Sequence, residues 1–117
     1  MITRLLAVGA GGFLGAIARY AMTMWVLTWW RRDFPLGTFL VNISGCFVLG
    51  LFVTLAASRT SDLARLAIAT GFVGAYTTFS TFEYETHQLP AALALANVLF
   101  SVVAGYLAVK LGVVLAK

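Results

Sequence analysis

The chain has 117 residues, of which 62% are hydrophobic and only 10% are charged, and its formal net charge is +4. Soluble domains carry about 25% charged residues, so this composition excludes a water-soluble fold and predicts an integral membrane protein. The eight Lys and Arg residues are scattered along the chain and form no basic stripe, which argues against a nucleic-acid partner.

Four hydrophobic segments follow one another along the chain, and each is long enough to cross a bilayer, which takes about 20 residues. We predict an all-α integral membrane protein in which residues 1–117 form a single domain. The predicted helices span about 2–30, 36–57, 63–89 and 90–115. Because short connections make sequential helices antiparallel, we expect both chain ends and the 58–62 loop on one side of the membrane.

Local signals support the boundaries between these spans. Pro35 closes the charged segment after the first span, because the residue before a proline disfavours the helical conformation. Ser61 or Asp62 can cap the third helix, and Pro90 suits the first turn of the fourth. Recognisable turn residues therefore separate the four spans.

Positive charge shows only a small bias across the membrane. The side of the chain ends carries five Lys or Arg residues, and the opposite side carries Arg31 and Arg32, with Arg19 as a third if it reaches that interface. Positive residues favour the cytoplasmic side, so this small excess leaves either orientation, or a mixture of both, open.

Small residues recur at spacings that suit helix packing in lipid. The pairs are Gly11 with Gly15 and Gly12 with Ala16 in the first span, Gly71 with Gly74 in the third, and Gly105 with Gly112, with Ala108 between them, in the fourth. Because apolar surface alone gives helices no drive to associate in lipid, such positions allow backbones to approach closely. We interpret them as packing sites of a helix bundle.

Asn42 is a polar side chain at membrane depth in the second span. Thr38, Asn42 and Gly45 share one face of that helix. A polar group there is costly in hydrocarbon and must meet a partner, water or a ligand. The spacing alone leaves two interpretations open, a hydrogen bond between helices and a ligand-binding group.

The third span contains four hydroxyl residues between positions 77 and 81, shortly after Gly71 and Gly74. Gly and Thr have low helix propensity and hydroxyls compete for backbone hydrogen bonds, so we predict a helix break near Gly74–Thr78. A kinked but unbroken helix is the alternative. Broken backbone at this depth is tolerated only inside protein or beside a wet cavity, where its free carbonyl groups can coordinate a cation.

Phe79 and Phe82 follow the predicted break, and Glu85 continues the same stripe at a spacing of three residues. Two phenylalanines at this spacing are typical of a packed core. The positive edges of aromatic rings can also contact an anion without a formal charge. The stripe is therefore either core packing or the wall of an anion path.

In the fourth span Asn97, Ser101 and Gly105 recur every four residues, with Tyr106 beside them. Residues at this spacing lie on one helix face. The strip is either small-residue packing or a track of hydrogen-bonding groups.

Motifs in the first three spans are shared with a known family. In chain order they are Gly15-Ala16-x-x-Arg19-Tyr20, Gly37-Thr38-x-x-Val41-Asn42-x-x-Gly45-x-Phe47 and Gly71-x-x-Gly74-x-x-Thr77-Thr78-Phe79-Ser80-Thr81-Phe82. The chain resembles the bacterial CrcB/Fluc fluoride channels in these motifs and in its length. The Thr-Thr-Phe-Ser-Thr-Phe element is the most specific part of the resemblance.

The resemblance implies a fluoride-selective ion channel that lets fluoride leave the cell passively and so protects it from fluoride toxicity. It implies a dual-topology homodimer in the bacterial inner membrane, with two subunits in opposite orientations and two pores along their interface. It also implies a structural sodium ion at the dimer centre, held by the backbone carbonyl groups of Gly74 and Thr77.

The resemblance also suggests roles for individual side chains. Phe79 and Phe82 are expected to line the fluoride pore, and Asn42 to donate a hydrogen bond to the ion. Arg19 is interpreted as a structural or vestibule residue. The family's polar pore positions match Thr78, Ser80 or Thr81, and Glu85. The resemblance does not extend to the fourth span, so Ser101 is a pore candidate only from its place on the fourth helix, as Thr38 is from its place beside Asn42.

Other classes of protein account for fewer of these residues. A small proton-coupled multidrug exporter of cationic compounds needs a carboxylate near mid-membrane, and the first two spans contain no Asp or Glu. A non-transporting membrane assembly subunit would leave the hydroxyl and phenylalanine residues unexplained. An enzyme is the least favoured class because His87 is the only histidine, Cys46 is isolated, and no pair of nucleophile and base can be assembled.

Overall fold

The computed structural model describes all 117 residues, and every regular element in it is a helix. In chain order the elements are α1 (Ile2–Leu27), α2 (Leu36–Ala56), α3 (Asp62–Arg65), a π-helix (Leu66–Val73), α4 (Gly74–Tyr76), α5 (Phe79–Gln88) and α6 (Ala91–Leu115). By length and composition α1, α2 and α6 can each cross a membrane. The elements from α3 to α5 form the third predicted span, so the chain is an all-helical, multi-pass membrane protein.

The third span is not one continuous α-helix. It starts at Ser61, whose Oγ accepts a hydrogen bond from the N–H of Ala64 at 3.3 Å, and it winds as a π-helix over eight residues before α4. Thr77 (φ −77°, ψ 155°) and Thr78 (φ −147°, ψ 117°) are then extended, and α5 begins after them. The break lies in the predicted region, and the alternative of an unbroken helix is wrong.

The backbones of α1 and the π-helix lie almost in contact. A Cβ atom added at Gly11 would collide with the carbonyl oxygen of Ala67, and one added at Gly15 would collide with the carbonyl oxygen of Phe72. Only glycine fits at these two positions, as the prediction of close helix packing requires. The contact places the first half of the third span directly on α1.

Glycines bring α2 and α6 together in the same way. A Cβ atom at Gly50 would collide with the carbonyl oxygen of Val109, and one at Gly112 would collide with that of Phe47. The bundle therefore consists of two closely packed pairs, α1 with the π-helix and α2 with α6. Helix α5 belongs to neither pair and contacts mainly α6 and α2.

Two arginines connect the helix ends on one side of the bundle. Arg4 lies 4.0 Å from the carboxylate of Asp62, so the N-terminus and the turn before α3 share one side, as predicted. The Nη2 of Arg65 donates to the carbonyl oxygens of Ala56 at 2.8 Å and Ala57 at 2.6 Å. A positive charge at this place complements the dipole at the C-terminus of α2.

The first helix ends at Leu27, before the boundary near residue 30 that the sequence suggested. The hydroxyl of Thr28 donates to the carbonyl oxygen of Trp25 at 2.6 Å, and the indole N–H of Trp30 donates to the carbonyl oxygen of Phe34 at 2.8 Å. The backbone N–H groups of Thr28 and Trp29 also bond three residues back, to Trp25 and Val26, so the last turn is tightened and the helix ends here.

Candidate functional site

The centre of the candidate site is a pair of hydrogen bonds across the helix break. The Oδ1 of Asn42 accepts from the backbone N–H of Thr78 at 2.8 Å, and its Nδ2 donates to the carbonyl oxygen of Thr78 at 3.1 Å. One amide thus pairs both backbone groups of a residue that has left the helix. Asn42 therefore forms a bond between helices, and it retains one further Nδ2 hydrogen for another acceptor.

Thr78 also caps α5. Its Oγ1 accepts from the N–H of Thr81 at 3.3 Å and donates to the hydroxyl of Thr81 at 3.1 Å. The first bond satisfies one of the free N–H groups at the start of the helix. Thr78 is buried, whereas Thr81 and the neighbouring Ser80 are exposed on the surface of the chain.

The break separates two carbonyl groups from their helical donors. In a continuous α-helix the carbonyl of Gly74 would accept from the N–H of Thr78, and that of Thr77 from the N–H of Thr81. Both donors are used elsewhere, by Asn42 Oδ1 and by Thr78 Oγ1. Gly74 and Thr77 thus have free carbonyl oxygens, which are the ligands that hard cations prefer.

The absence of a side chain at Gly45 lets the break pack against α2. A Cβ atom there would collide with Thr77, and next to this contact the hydroxyls of Ser44 and Tyr76 lie 2.9 Å apart. A pocket of about 250 Å³ opens beside it. The predicted residues that line this pocket are Asn42, Thr77, Thr78 and Phe79. Sequence reasoning missed Ser44, although a hydroxyl at membrane depth is the same kind of signal as Asn42.

The two phenylalanine rings of the predicted stripe lie next to each other on α5. Their centroids are 6.0 Å apart and their planes are tilted by 42°. Phe82 is 7% exposed, whereas Phe79 is 74% exposed. Core packing therefore accounts for Phe82 but not for Phe79, whose ring lies on the surface of the chain beside the break.

A second polar pocket, of about 190 Å³, lies between α1, α2 and α5. The predicted residues that line it are Arg19, Thr38, Thr78, Thr81 and Glu85. The Oε2 of Glu85 is buried without a hydrogen-bond partner, and Arg19 forms no ion pair with it. With Tyr20 and Thr23, which also line it, the pocket brings together a cation, a carboxylate and five hydroxyls.

The strip of α6 residues found in the sequence has two roles. Asn97 is 1% exposed, and its Nδ2 donates to Thr86 Oγ1 at 2.8 Å. The hydroxyl of Ser101 donates to Asn97 Oδ1 at 3.2 Å, while Gly105 packs against α2. Ser101 therefore bonds within α6 and lines neither of the two pockets, and Tyr106 is 66% exposed.

Thr86 is a second residue that sequence reasoning missed. Its hydroxyl accepts from Asn97 and donates to the carbonyl oxygen of Phe82 at 2.6 Å. The hydroxyl lies four residues after Phe82, a spacing that allows this local bond. Its pairing with Asn97 on another helix has no signature in the sequence.

Known proteins resemble this chain over nearly its whole length. A family model described as CrcB-like protein, Camphor Resistance (CrcB), matches residues 6–113. A protein of Acidobacterium capsulatum named fluoride-specific ion channel FluC is 48% identical over 113 residues, which cover 92% of this chain and 90% of the relative.

Two further relatives carry similar names. The fluoride-specific ion channel FluC of Solibacter usitatus is 43% identical over 118 residues, covering 96% of this chain and 97% of the relative. The fluoride-specific ion channel FluC 2 of Moorella thermoacetica is 46% identical over 111 residues, covering 92% and 91%. All three relatives are named as channels and not as enzymes, in agreement with the prediction that this chain is not an enzyme.

Proposed function

Because this chain belongs to the CrcB-like family, we propose that it is a fluoride-selective ion channel of the bacterial inner membrane. Fluoride that enters a cell as its weak acid is trapped as the anion in a more alkaline interior. A passive pore lets this fluoride leave again, and so protects the cell from its toxicity.

The observation that carries the proposal is the helix break with its flanking groups. Asn42 keeps a free amide hydrogen beside the break, and the Phe79 ring lies on the same pocket. Fluoride is small and strongly hydrated, so a selective pore must replace its water with compact donors. Amide hydrogens, hydroxyls and the positive edges of aromatic rings are such donors.

The charges around the break fit conduction better than tight binding. Conduction needs sites that are favourable enough to enter and weak enough to leave. The pocket that contains Asn42 and Phe79 is lined by no Lys or Arg. Arg19 lies in the neighbouring polar pocket with Glu85, where we assign it to the vestibule.

A second copy of the chain is needed to complete the site. Gly74, Ser80 and Thr81 are exposed on the surface of the single chain, at a break in a membrane span. Broken backbone and polar groups at this depth are tolerated only inside protein or beside a water-filled cavity. We therefore propose a homodimer that covers this surface, with antiparallel subunits and two pores along the interface. The small bias of Lys and Arg across the membrane is compatible with insertion in both orientations.

The free carbonyl oxygens of the break also fit the predicted sodium ion. Gly74 and Thr77 would hold it, with the same two residues of the second copy. A bound sodium ion would offset the negative ends of the carbonyl dipoles and add positive potential near the pores. Without it, the dimer would bring four unpaired carbonyl groups together.

The channel proposal is tested with purified protein in liposomes loaded with potassium fluoride and potassium chloride. A fluoride electrode is expected to record rapid efflux after a potassium ionophore is added, while a chloride electrode records none above protein-free liposomes. Light scattering in detergent should give the mass of a dimer. Folded dimers that carry no fluoride, or that carry chloride equally well, would defeat the proposal.

A further inference from the structure

Helix α5 is attached to the rest of the chain by little apolar burial. It has ten residues, and Phe82 is the only buried one among them. A helix of this length is marginal on its own, and apolar surface gives little drive to associate in lipid. The extended residues Thr77 and Thr78 also disconnect α5 from the first half of the span. Directional hydrogen bonds must therefore set how α5 is rotated about its axis.

Two asparagine amides supply such bonds, one near each end of α5. Asn42 holds Thr78, the residue before the helix, through bonds of 2.8 and 3.1 Å. Asn97 reaches from α6 and donates to Thr86 Oγ1 at 2.8 Å. The hydroxyl of Thr86 then donates to the carbonyl oxygen of Phe82 at 2.6 Å. The amides thus hold α5 at two separate points.

Both ends of the Asn97 amide are hydrogen-bonded. Asn97 is 1% exposed, and its Oδ1 already accepts from Ser101. Rotating either side chain away would leave a buried polar group unpaired, which costs about 1–3 kcal/mol. The chain of bonds from Ser101 to Asn97 to Thr86 therefore ties α5 to α6 through a buried amide, and breaking it at either hydroxyl is costly.

The two points of attachment control the placement of the phenylalanine rings. Thr78, Phe82 and Thr86 recur every four residues and so lie along one face of α5, with Phe79 on the adjoining face. A helix with its side chains has a radius of about 5–6 Å, so a rotation of about 20° moves its surface by about 2 Å. Such a rotation would displace Phe79 from the pocket beside Asn42.

We propose that Asn97 is a positioning residue, which acts through Thr86 to fix the rotation of α5 and thereby the place of Phe79 and Phe82 in the fluoride path. The inference rests on the proposed channel function. The rotation of α5 can nevertheless be measured without fluoride, so the two proposals can fail separately.

The first test compares fluoride efflux from liposomes that contain folded dimers. Thr86→Val removes the bond at nearly constant volume, and Asn97→Leu removes it with a larger side chain of the same branching. Each is expected to lower efflux by at least about tenfold, because small misplacements are costly. The double variant should be no slower than the slower single variant, since either change alone already removes the bond between Asn97 and Thr86. Thr86→Ser keeps the hydroxyl and should keep wild-type efflux.

Thr54→Val is the matched control for the loss of a hydroxyl. The hydroxyl of Thr54 donates only to the carbonyl oxygen of Gly50 within α2. Efflux through this variant is expected to match that of the wild type. If Thr54→Val lowered efflux as much as Thr86→Val does, the loss of any hydroxyl would be enough to slow the channel, and the proposal would be overturned.

The second test measures the rotation of α5 by chemical labelling. In a Cys46→Ala background, Glu83→Cys places a single thiol on α5, at an exposed position that is not among those assigned to the dimer interface or the pore. The rate of its reaction with a maleimide is expected to change severalfold when Asn97→Leu or Thr86→Val is added. Thr86→Ser should restore the original rate, because it restores the bond.

The proposal is overturned if Asn97→Leu dimers keep both the wild-type efflux and the wild-type labelling rate. It is also overturned if the fold-reduction of efflux in the double variant equals the product of the fold-reductions in the two single variants. Should Asn97→Leu fail to fold, Thr86→Val decides by the same two measurements. A wild-type protein that carries no fluoride would refute the channel, while the labelling rates would still decide the role of Asn97.

Discussion

The two halves of the third span are held in place by different physics. The first half lies against α1 with the backbones in contact at Gly11 and Gly15. The second half, α5, buries one side chain and is attached by the amides of Asn42 and Asn97. Shape fixes the first half and hydrogen-bond direction fixes the second. Substitutions in the first half should therefore cost the fold, and those in the second should cost ion flux from a protein that still folds.

The largest effect is expected from Gly11→Ala, which tests the first half of this comparison. Overpacking costs about 1–3 kcal/mol where side chains can move, but here the added methyl meets the backbone of Ala67, so we expect more than about 3 kcal/mol. The yield of monodisperse dimer in gel filtration measures the loss. Gly9→Ala is the matched control, because nothing lies within 4 Å of a Cβ atom there. Equal yields from the two variants would break the comparison.

Asn42→Asp should have the next largest effect, on flux rather than on folding. A carboxylate can still accept from the N–H of Thr78, but it cannot donate to the carbonyl oxygen of that residue or to fluoride. We expect fluoride efflux to fall by about 100-fold in dimers that still form. Ser44→Ala, which removes a bond to Tyr76 in the first half, should keep most of the efflux. Normal efflux through Asn42→Asp would contradict the role of the amide.

Phe79→Leu keeps a large apolar side chain but removes the aromatic ring. It should reduce fluoride efflux by about tenfold, because the positive edge of the ring is lost. Phe79 is 74% exposed, so thermal stability should hardly change. Phe100→Leu is the matched control, since that ring is 62% exposed on α6 and lines neither of the two polar pockets. Equal rates of fluoride efflux through the two variants would show that the Phe79 ring does not line the proposed path.

The smallest effects are expected at the two helix caps, and they sharpen the comparison. Ser61→Ala and Thr78→Ala each remove a bond to a free N–H group, at a cost of about 1 kcal/mol in stability. Thermal unfolding of the dimer in detergent should therefore shift similarly in both. Only Thr78→Ala should also slow fluoride efflux. A similar slowing by Ser61→Ala would mean that the halves are not functionally distinct.

The break in the third span could be predicted because its causes are local. Hydroxyl residues follow Gly71 and Gly74 directly, and their competition for backbone bonds needs no knowledge of the rest of the chain. The cost of a polar group in lipid likewise identified Asn42. That its partner would be both backbone groups of Thr78 could not be predicted, because the pairing joins two helices 36 residues apart.

Other features depended on contacts that spacing does not reveal. The π-helix lies where the third span meets the backbone of α1, and nothing in residues 66–73 themselves marks it. The division between buried Phe82 and exposed Phe79 depends on how α5 is rotated. The partner of Ser101 could not be read from its helix face either: its hydroxyl donates to Asn97, and its role in the pore stays a prediction.

The double attachment of Asn42 has a consequence for the sign of the ion. An amide held at one end can turn over and exchange its oxygen for its nitrogen. Turning over Asn42 would set two donors face to face at the N–H of Thr78, and two acceptors face to face at its carbonyl, so both attractions would become repulsions. The orientation of the side chain is therefore fixed, so its remaining Nδ2 hydrogen always points to the same place, where an anion can accept it.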